Sequence, residues 1–202
     1  MKTRFEYAVS LQKYKNKTVL DLGCRDKILK KYLKKDVKYQ GVDFKMDEEV
    51  VSYNLEEGIP FEDNSFDVVF ALDVLEHLEN IHQLIDEIKR VAKNEAIIAL
   101  PNCYHWHYKL NILRNKPLNT KYKVPANKIL DRHRWLTYHT SSLDLVTNMN
   151  RELKVRNFKF ICNYSKYKFL YLIDKYFSKY FPNTFTYTDF FQIEYLNESN
   201  TI

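Results

Sequence analysis

Two acidic residues and one glycine near the start of the chain have the spacing of a nucleotide-binding unit. Asp21 and Gly23 follow a short apolar run, and Asp43 ends a second run 22 residues after Asp21. A loop at the carboxyl end of a parallel strand leaves backbone N–H groups free, and a carboxylate that ends the next strand can accept hydrogen bonds from both ribose hydroxyls. The predicted elements are a strand over residues 19–22, a helix over 28–35 and a strand over 39–42.

Two kinds of cofactor compete for this unit. Dinucleotide binders carry the pattern G-x-G-x-x-G after the first strand. Here only Gly23 is present, because Arg25 and Lys27 occupy the later glycine positions. A nicotinamide cofactor is therefore disfavoured. The same two residues carry a cost, because a residue other than glycine is strained wherever the loop requires a positive φ. Arg25 could instead pair with a carboxylate of the cofactor.

Apolar spacing further along the chain predicts the elements that must position these residues. A nearly continuous apolar run over 66–71 is typical of a strand buried on both faces. Apolar residues at helical spacing over 76–93 indicate an amphipathic helix. Strands that alternate with helices imply a mostly parallel sheet. Other predicted elements are a helix or arm over 1–17, strands over 49–53, 95–100, 158–164 and 190–196, a helix from a capping box at Ser141 to Leu153, and a helical stretch near 168–181.

Three segments together resemble class I S-adenosylmethionine-dependent methyltransferases. VLDLGC, residues 19–24, followed by Asp43, resembles motif I and its following acid. Residues 54–78, NLEEGIPFEDNSFDVVFALDVLEHL, look like the central block of members that modify small molecules, quinones and glycans, and IIALPN, residues 97–102, looks like their fifth strand. The resemblance covers about residues 18–102. It implies an α/β, Rossmann-like fold, with a seven-stranded, mostly parallel sheet, helices on both faces and a lid insertion after strand five.

The resemblance also implies S-adenosylmethionine as the cofactor. Asp21 and Gly23 would shape the methionine end of its pocket, Asp43 would bind the ribose, and Phe44 would pack on the adenine. Asn54 stands where relatives often carry an acid, and its carbonyl can still accept a hydrogen bond from the adenine amino group. The residues expected at the cofactor are Asp21, Gly23, Cys24, Arg25, Asp43, Phe44, Asn54, Leu55 and Leu72.

A dense polar and aromatic cluster at residues 131–135 supplies the candidate catalytic and acceptor-binding groups. Methyl transfer from a sulfonium is an in-line displacement, sometimes assisted by a base, and it requires no metal. His133, flanked by two arginines in the expected lid, is the predicted base, together with Asp73 after strand four. Arg132 and Arg134 would hold an acceptor phosphate or carboxylate as forks. The predicted acceptor contacts are His77, His105, Arg132, Arg134 and Trp135.

Two alternatives stand beside these assignments. Glu76 and His77 belong to the string LEHL that the family carries, but they could equally mark a helix start where an acid caps the positive end. The histidines at 105, 107 and 133 could hold a metal ion, but no spacing enforces it. We therefore predict no metal site from the sequence.

Charge is divided unevenly along the chain. The net charge is +6, but residues 101–180 carry 16 Lys and Arg against 4 Asp and Glu, which is +12, and the remainder is −6. This excess either forms a solvated surface or attracts an anionic acceptor. The preferred acceptor is a hydroxyl of a sugar, a glycan or another anionic small molecule. The alternatives are an RNA methyltransferase, since nucleic acid also fits a basic surface, and a non-catalytic binding protein with the same fold.

Length and composition predict one domain over 1–202, divided into a cofactor-binding core (18–102), a substrate lid region (103–157) and C-terminal strands with a helical insertion (158–202). The sequence contains no apolar run of 18 or more residues, so we predict no transmembrane segment. It also lacks the apolar core of a signal peptide and has only three widely spaced cysteines, which predicts a cytoplasmic protein. The helix near 168–181 carries an apolar stripe that we expect to pack on the sheet or against a second copy in a homodimer. The stripe consists of Phe169, Leu172, Ile173, Tyr176, Phe177 and Tyr180.

Overall fold

The computed structural model describes residues 2–118, 120–122, 124, 132–161 and 168–195, which build a seven-stranded sheet. The strands are β1 (Thr18–Leu22), β2 (Lys38–Asp43), β3 (Val50–Ser52), β4 (Phe66–Leu72), β5 (Ala92–Pro101), β6 (Lys154–Phe160) and β7 (Thr188–Glu194). Their order is β3-β2-β1-β4-β5-β7-β6. Strands β1 to β5 pair in parallel, and β7 runs antiparallel to both of its neighbours. The predicted mostly parallel, seven-stranded fold is confirmed.

Helices cover both faces of the sheet because its central strands are apolar on both sides. Val68, Val69, Phe70 and Ala71 of β4 are all fully buried, as expected for a parallel strand between two helical layers. One face packs against α1 (Arg4–Ser10), and the other packs against α2 (Ile81–Val91) and α4 (His139–Met149). The remaining helices are α3 (Trp106–Leu113), α5 (Lys168–Phe177) and α6 (Pro182–Phe185).

Several predicted helices begin or end elsewhere. The helix expected over 28–35 is only a short 3-10 helix, Leu29–Tyr32, whose single buried side chain is Leu29. One buried side chain does not stabilise a longer helix, because helical stability in proteins comes mainly from packing an apolar face. The helix expected from residue 76 starts at Ile81, because the Asn80 side chain accepts a hydrogen bond from the Gln83 N–H at 3.3 Å and caps it there.

The capping-box prediction at Ser141 is also wrong by three positions. Helix α4 starts at His139 after the extended residue Tyr138, so Ser141 lies in the first turn of the helix. Its hydroxyl accepts a hydrogen bond from the Tyr138 N–H at 3.3 Å. Ser141 therefore closes the cap from the helical side instead of opening the helix.

The last two strands are shifted from their predicted positions. Strand β6 begins at Lys154 rather than 158 and ends at Phe160, and residues 162–164 of that prediction lie outside the described residues. Strand β7 begins two residues before the predicted start. The antiparallel register, from Lys154 opposite Glu194 to Phe160 opposite Thr188, sets both bounds.

Part of the region expected as a lid belongs to the scaffold. Helix α4 lies in that range and packs on the sheet, where Val146 is fully buried. The imidazole Nδ1 of His139 lies 2.7 Å from Asp189 Oδ1 on β7 and ties the helix to the strand. Of the remaining lid region, the structure describes α3, residues around Tyr122 and the segment from 132 to 138. Pro125 and Asp131 lie outside the described residues.

The orientation of α5 corrects a prediction. Its apolar stripe faces outward, with Phe169, Leu172, Tyr176 and Tyr180 all more than half exposed. The inward side carries Asp174, which is fully buried. The prediction that the stripe packs on the sheet is therefore wrong, and contact with a second copy stays a prediction.

Two further sequence predictions bear on cysteines and membranes. Cys24 and Cys103 are buried free thiols, and Cys162 lies outside the described residues. Within the described ranges, the helices are too short or too polar to cross a bilayer.

Candidate functional site

The carboxyl ends of β1, β2 and β4 meet at one edge of the sheet, and the loop after β1 lies there. Gly23 opens this loop with a φ of 65°, and its N–H donates to the Val42 carbonyl at 2.8 Å. A Cβ atom at this position would lie 2.1 Å from Val74 Cγ2, on the segment that follows β4. Both the positive φ and the close approach require glycine here.

Two later residues of the loop adopt the left-handed backbone conformation although neither is a glycine. Arg25 has a φ of 45° and Lys27 a φ of 52°. The Arg25 N–H donates to Asp43 Oδ2 at 2.9 Å. The Lys27 ammonium lies 2.6 Å from Asp47 Oδ2 and donates to the Glu48 carbonyl at 3.0 Å. These contacts to the segment after β2 hold a loop whose backbone is strained.

We expect Arg25→Gly to be more stable than Arg25→Ala by about 0.5 to 1 kcal/mol, because the relief of left-handed strain exceeds the entropy that glycine adds to the unfolded chain. The matched control is Arg25→Ala, which removes the same side chain but keeps the strain. Urea unfolding of both variants measures the difference. A glycine variant less stable than the alanine variant would show that the backbone at this position is not strained.

Asp43 is the last residue of β2 and lies beside the loop after β1. Its Oδ2 accepts from the Arg25 N–H, and its Oδ1 accepts from the Phe44 N–H at 2.7 Å. A carboxylate oxygen has two lone pairs, so each can accept another hydrogen bond. The ring of Phe44 is 56 % exposed beside it. This geometry is compatible with the predicted ribose and adenine contacts, which stay predictions.

Asn54 and Leu55 lie on the neighbouring turn. The side-chain oxygen of Asn54, Oδ1, accepts a hydrogen bond from the Glu56 N–H at 3.1 Å and caps the 3-10 helix Leu55–Glu57. One lone pair of that oxygen therefore stays available for an adenine amino group. Leu55 is buried, and Leu72 at the end of β4 is half-buried.

Asp21 lies beneath the loop rather than in the open pocket. It is 4 % exposed, and the Tyr39 hydroxyl donates to its Oδ2 at 2.8 Å. Burial raises the pKa of Asp21 to about 7, with a smaller opposing effect from the Tyr39 hydrogen bond. Burial, and then the Asp21 charge, raise the pKa of the Cys24 thiol to about 11. Asp21 and Cys24 thus support the loop from below, and Tyr39 is a partner that the sequence analysis missed.

Asp73 follows β4 with a φ of 55°, and its side chain forms an ion pair with Arg4 of α1. Burial lowers the pKa of the Arg4 guanidinium. The N-terminal helix therefore places a cation at the mouth of the site, which no local sequence pattern indicates. As a base, Asp73 would have to act while paired to Arg4, and that role stays a prediction.

A second group of titratable residues, the histidine–glutamate cluster, consists of Glu76, His77 and His133. Glu76 is 1 % exposed, and its Oε1 lies 3.9 Å from His77 Nε2 and 3.7 Å from His133 Nε2. The two imidazole rings meet edge to face at 4.7 Å between centroids. Burial raises the pKa of Glu76 to about 8. The structure thus brings the two predicted site residues His77 and His133 together with Glu76, to which the sequence analysis gave no catalytic or binding role.

Backbone contacts dock the segment from 132 to 135 on this cluster. The Glu76 carbonyl accepts from the Arg134 N–H at 2.8 Å and from the Trp135 N–H at 3.3 Å. The Trp135 indole donates to the Leu78 carbonyl at 2.8 Å. The Arg134 side chain pairs with Glu79 and lies 3.8 Å from Glu56. To hold an acceptor, Arg134 would have to leave these acids, whereas Arg132 is exposed.

His105 occupies a different position from the one predicted. It is fully buried, and its Nε2 lies 3.0 Å from Asp174 Oδ2. The indole of Trp106 donates to the other oxygen of Asp174 at 2.7 Å. This arrangement fastens α5 to the start of α3 and is that of a structural histidine, so the acceptor-contact prediction for His105 is not supported by its position.

A glycine loop after β1, an acid ending β2 and an antiparallel β7 inserted between β5 and β6 together define the class I methyltransferase fold. Residues 20–100 match the family model described as a methyltransferase domain. For these matched residues, the family model and the fold support a class I S-adenosylmethionine-dependent methyltransferase domain.

Three similar proteins place the chain among its relatives. A SAM-dependent methyltransferase from Archaeoglobus fulgidus is 18 % identical with a TM-score of 0.58, over 95 % of this chain and 94 % of that one. The plantazolicin methyltransferase BpumL, solved with SAH, is 13 % identical with a TM-score of 0.56, over 95 % and 81 %. An uncharacterized protein of Methanocaldococcus jannaschii is 35 % identical over 102 residues, which span 45 % of this chain and only 44 % of that protein. The two solved structures show a shared fold.

Proposed function

We propose that the chain transfers a methyl group from S-adenosylmethionine to an oxygen of its acceptor. The observation that carries this proposal is the loop after β1, where Asp43 accepts the Arg25 N–H beside the exposed ring of Phe44. A carboxylate that could bind ribose hydroxyls and an exposed aromatic ring thus lie at the carboxyl ends of the strands, where ligands of such sheets bind. The relatives described as SAM-dependent or solved with SAH support the choice of cofactor.

The reaction needs little covalent chemistry from the protein. A lone pair of the acceptor oxygen forms a bond to the methyl carbon, the C–S bond breaks, and its electron pair returns to sulfur, so that the sulfonium becomes a neutral thioether. The acceptor proton leaves to a base or to water. His133 is the candidate base, because it is only 8 % exposed and lies on the segment that docks at the mouth of the site.

The acceptor is proposed to be an anionic small molecule or a glycan hydroxyl. The excess of 16 Lys and Arg over 4 Asp and Glu in residues 101–180 supports an anionic group, with Arg132 as an exposed cation beside the cluster. The same charge favours RNA as a second candidate. Binding of an RNA oligonucleotide that falls steeply with salt would favour RNA, whereas methylation of small anionic alcohols without RNA affinity would favour the first acceptor.

S-adenosylhomocysteine should raise the melting temperature, because a ligand that binds only the folded chain stabilises it, by about 2.7 kcal/mol at a hundredfold excess over Kd. Asp43→Ala should abolish this shift through loss of the ribose contact. Asp86→Ala, which removes an exposed acid on α2, is the matched control and should keep it. A response that survives in Asp43→Ala would reject the ribose assignment. No response of the unmodified chain at millimolar ligand would favour the non-catalytic alternative.

A further inference from the structure

Three donor atoms of the histidine–glutamate cluster converge on one point. One carboxylate oxygen of Glu76 and one ring nitrogen each of His77 and His133 all lie within 4.8 Å of one another. The separations of 3.7 and 3.9 Å between Glu76 Oε1 and the two Nε2 atoms are too long for direct hydrogen bonds. A cation about 2.1 Å from each donor separates neighbouring donors by roughly 3 to 3.5 Å. A small contraction of the cluster would therefore bring all three to coordinating distance.

The hydrogen bonds at the far side of each ring fix which nitrogen carries a lone pair. His77 Nδ1 lies 2.9 Å from the Arg132 carbonyl, which can only accept, so Nδ1 carries the proton. The Tyr122 hydroxyl donates to the Trp135 carbonyl at 2.5 Å, so at 3.3 Å it accepts from His133 Nδ1. In both neutral rings the lone pair is then on Nε2, facing Glu76. Such outer contacts are those that orient metal-binding histidines.

Glu76 contributes a buried carboxyl group that lacks hydrogen-bond partners among the described residues. Neither of its side-chain oxygens accepts a hydrogen bond from another residue in the described part of the chain. Arg4 and Lys121 act on it only at longer range. A carboxylate buried without such a partner is unfavourable, and a cation held between Glu76 and the two Nε2 atoms would stabilise it.

We propose that Glu76, His77 and His133 bind a first-row divalent cation, such as Zn²⁺, Fe²⁺ or Mn²⁺. Two imidazoles and one carboxylate suit these ions better than Mg²⁺ or Ca²⁺, which take oxygen ligands. Three protein ligands leave coordination positions open for water or another oxygen. This part of the proposal does not depend on the methyltransferase activity.

The role of the cation in catalysis rests on the proposed function. An acceptor hydroxyl at an open coordination position would lose its proton more readily, because a bound cation stabilises the developing alkoxide. The oxygen would then carry the electron pair that forms the new bond to the methyl carbon. Its proton would leave to solvent, because His133 would hold the cation through Nε2 and would no longer serve as the base. The acceptor class is accordingly an alcohol that can coordinate a metal ion.

Chelator-treated protein is titrated with Zn²⁺, Mn²⁺ and Mg²⁺ by calorimetry, and with Co²⁺ while its visible absorption is recorded. We expect one Zn²⁺ or Mn²⁺ per chain, no binding of Mg²⁺ at the same concentration, and the absorption of nitrogen- and oxygen-coordinated Co²⁺. Glu76→Gln and His133→Ala should each weaken binding at least tenfold. The matched control, His82→Ala, removes an exposed histidine of α2 and should bind as the unmodified chain does.

Absence of Co²⁺ absorption in the unmodified chain would overturn the proposal without any variant, and so would equal binding by Glu76→Gln and the control. The melting-temperature shift with S-adenosylhomocysteine, measured on the same samples, reports folding and the cofactor site separately. If the unmodified chain shows the melting-temperature shift with S-adenosylhomocysteine but binds no metal ion, only the metal site is rejected. If it binds a metal ion but shows no melting-temperature shift, only the proposed function is rejected.

Discussion

Gly23→Ala is expected to lower the free energy of unfolding by about 2 to 5 kcal/mol, from left-handed strain and overpacking together. The backbone at Gly23 has a φ of 65°, where an alanine is strained whatever space it has. The added Cβ would lie 2.1 Å from Val74 Cγ2, so the loop after β1 and the segment after β4 would have to separate. Because both segments line the proposed cofactor pocket, the variant should also lose its melting-temperature shift with S-adenosylhomocysteine.

The double variant Gly23→Ala/Val74→Ala separates the two causes. Removing the Val74 methyl groups relieves the clash but leaves the φ strain, so the alanine at 23 should cost only about 1 to 2 kcal/mol against Val74→Ala alone. Urea unfolding of the four proteins measures both costs. If the cost is the same in the two backgrounds, the close approach of Val74 does not determine the choice of glycine.

Asp21→Asn should stabilise the protein at pH 8 by up to about 4 kcal/mol and leave its stability nearly unchanged below pH 4. Burial raises the pKa of Asp21 from 3.8 to about 7 in the folded chain. The folded state therefore binds more protons than the unfolded state between these values, and stability falls as pH rises through this window. Asparagine cannot ionise, so the difference between the two proteins should grow from about pH 4 to pH 7 and then stay constant.

Tyr39→Phe should shift the pH dependence of stability at the same site in the opposite direction. The Tyr39 hydroxyl donates to Asp21 and lowers its pKa, so its removal should extend the loss of stability to higher pH. Denaturant unfolding from pH 4 to 9 measures all three curves. Parallel curves for the unmodified chain and Asp21→Asn would show that Asp21 is already ionised in the folded protein at low pH.

The strands at the cofactor edge could be predicted because their chemistry is local. The spacing of Asp21, Gly23 and Asp43 places them on adjoining strand ends, since consecutive parallel strands are related by one short crossover. The strain at Arg25 followed from the missing glycine, and the structure shows its positive φ. Each of these features depends on a few neighbouring residues.

Helix α5 shows where periodicity fails. The apolar stripe and the polar face were both visible in the sequence, but periodicity does not say which face meets the sheet. Asp174 decides it, because Trp106 and His105 bind its two oxygens from a loop some 70 residues away. A buried polar network of this kind outweighs the apolar stripe, since leaving a carboxylate buried and unpaired would cost several kcal/mol.

The histidine–glutamate cluster was missed for a related reason. His77 and His133 are 56 residues apart and share no spacing rule. The sequence analysis considered only the histidines at 105, 107 and 133 as metal ligands and predicted no metal site. The docking of the segment at 134 on the Glu76 carbonyl, and the contact of His77 with the Arg132 carbonyl, bring the two rings together. Arg4 reaches Asp73 through an equally distant contact.

The position of β7 between β5 and β6 has a consequence during synthesis. Strand β6 leaves the ribosome before β7, yet in the described sheet β7 is its hydrogen-bonding neighbour. Until residues 188–194 emerge, the nascent chain carries an open edge on β5 and an unpaired β6. Such edges invite pairing with other chains. Completion of the sheet must therefore follow translation of β7, and we infer that the nascent protein is most prone to aggregate in the interval just before it.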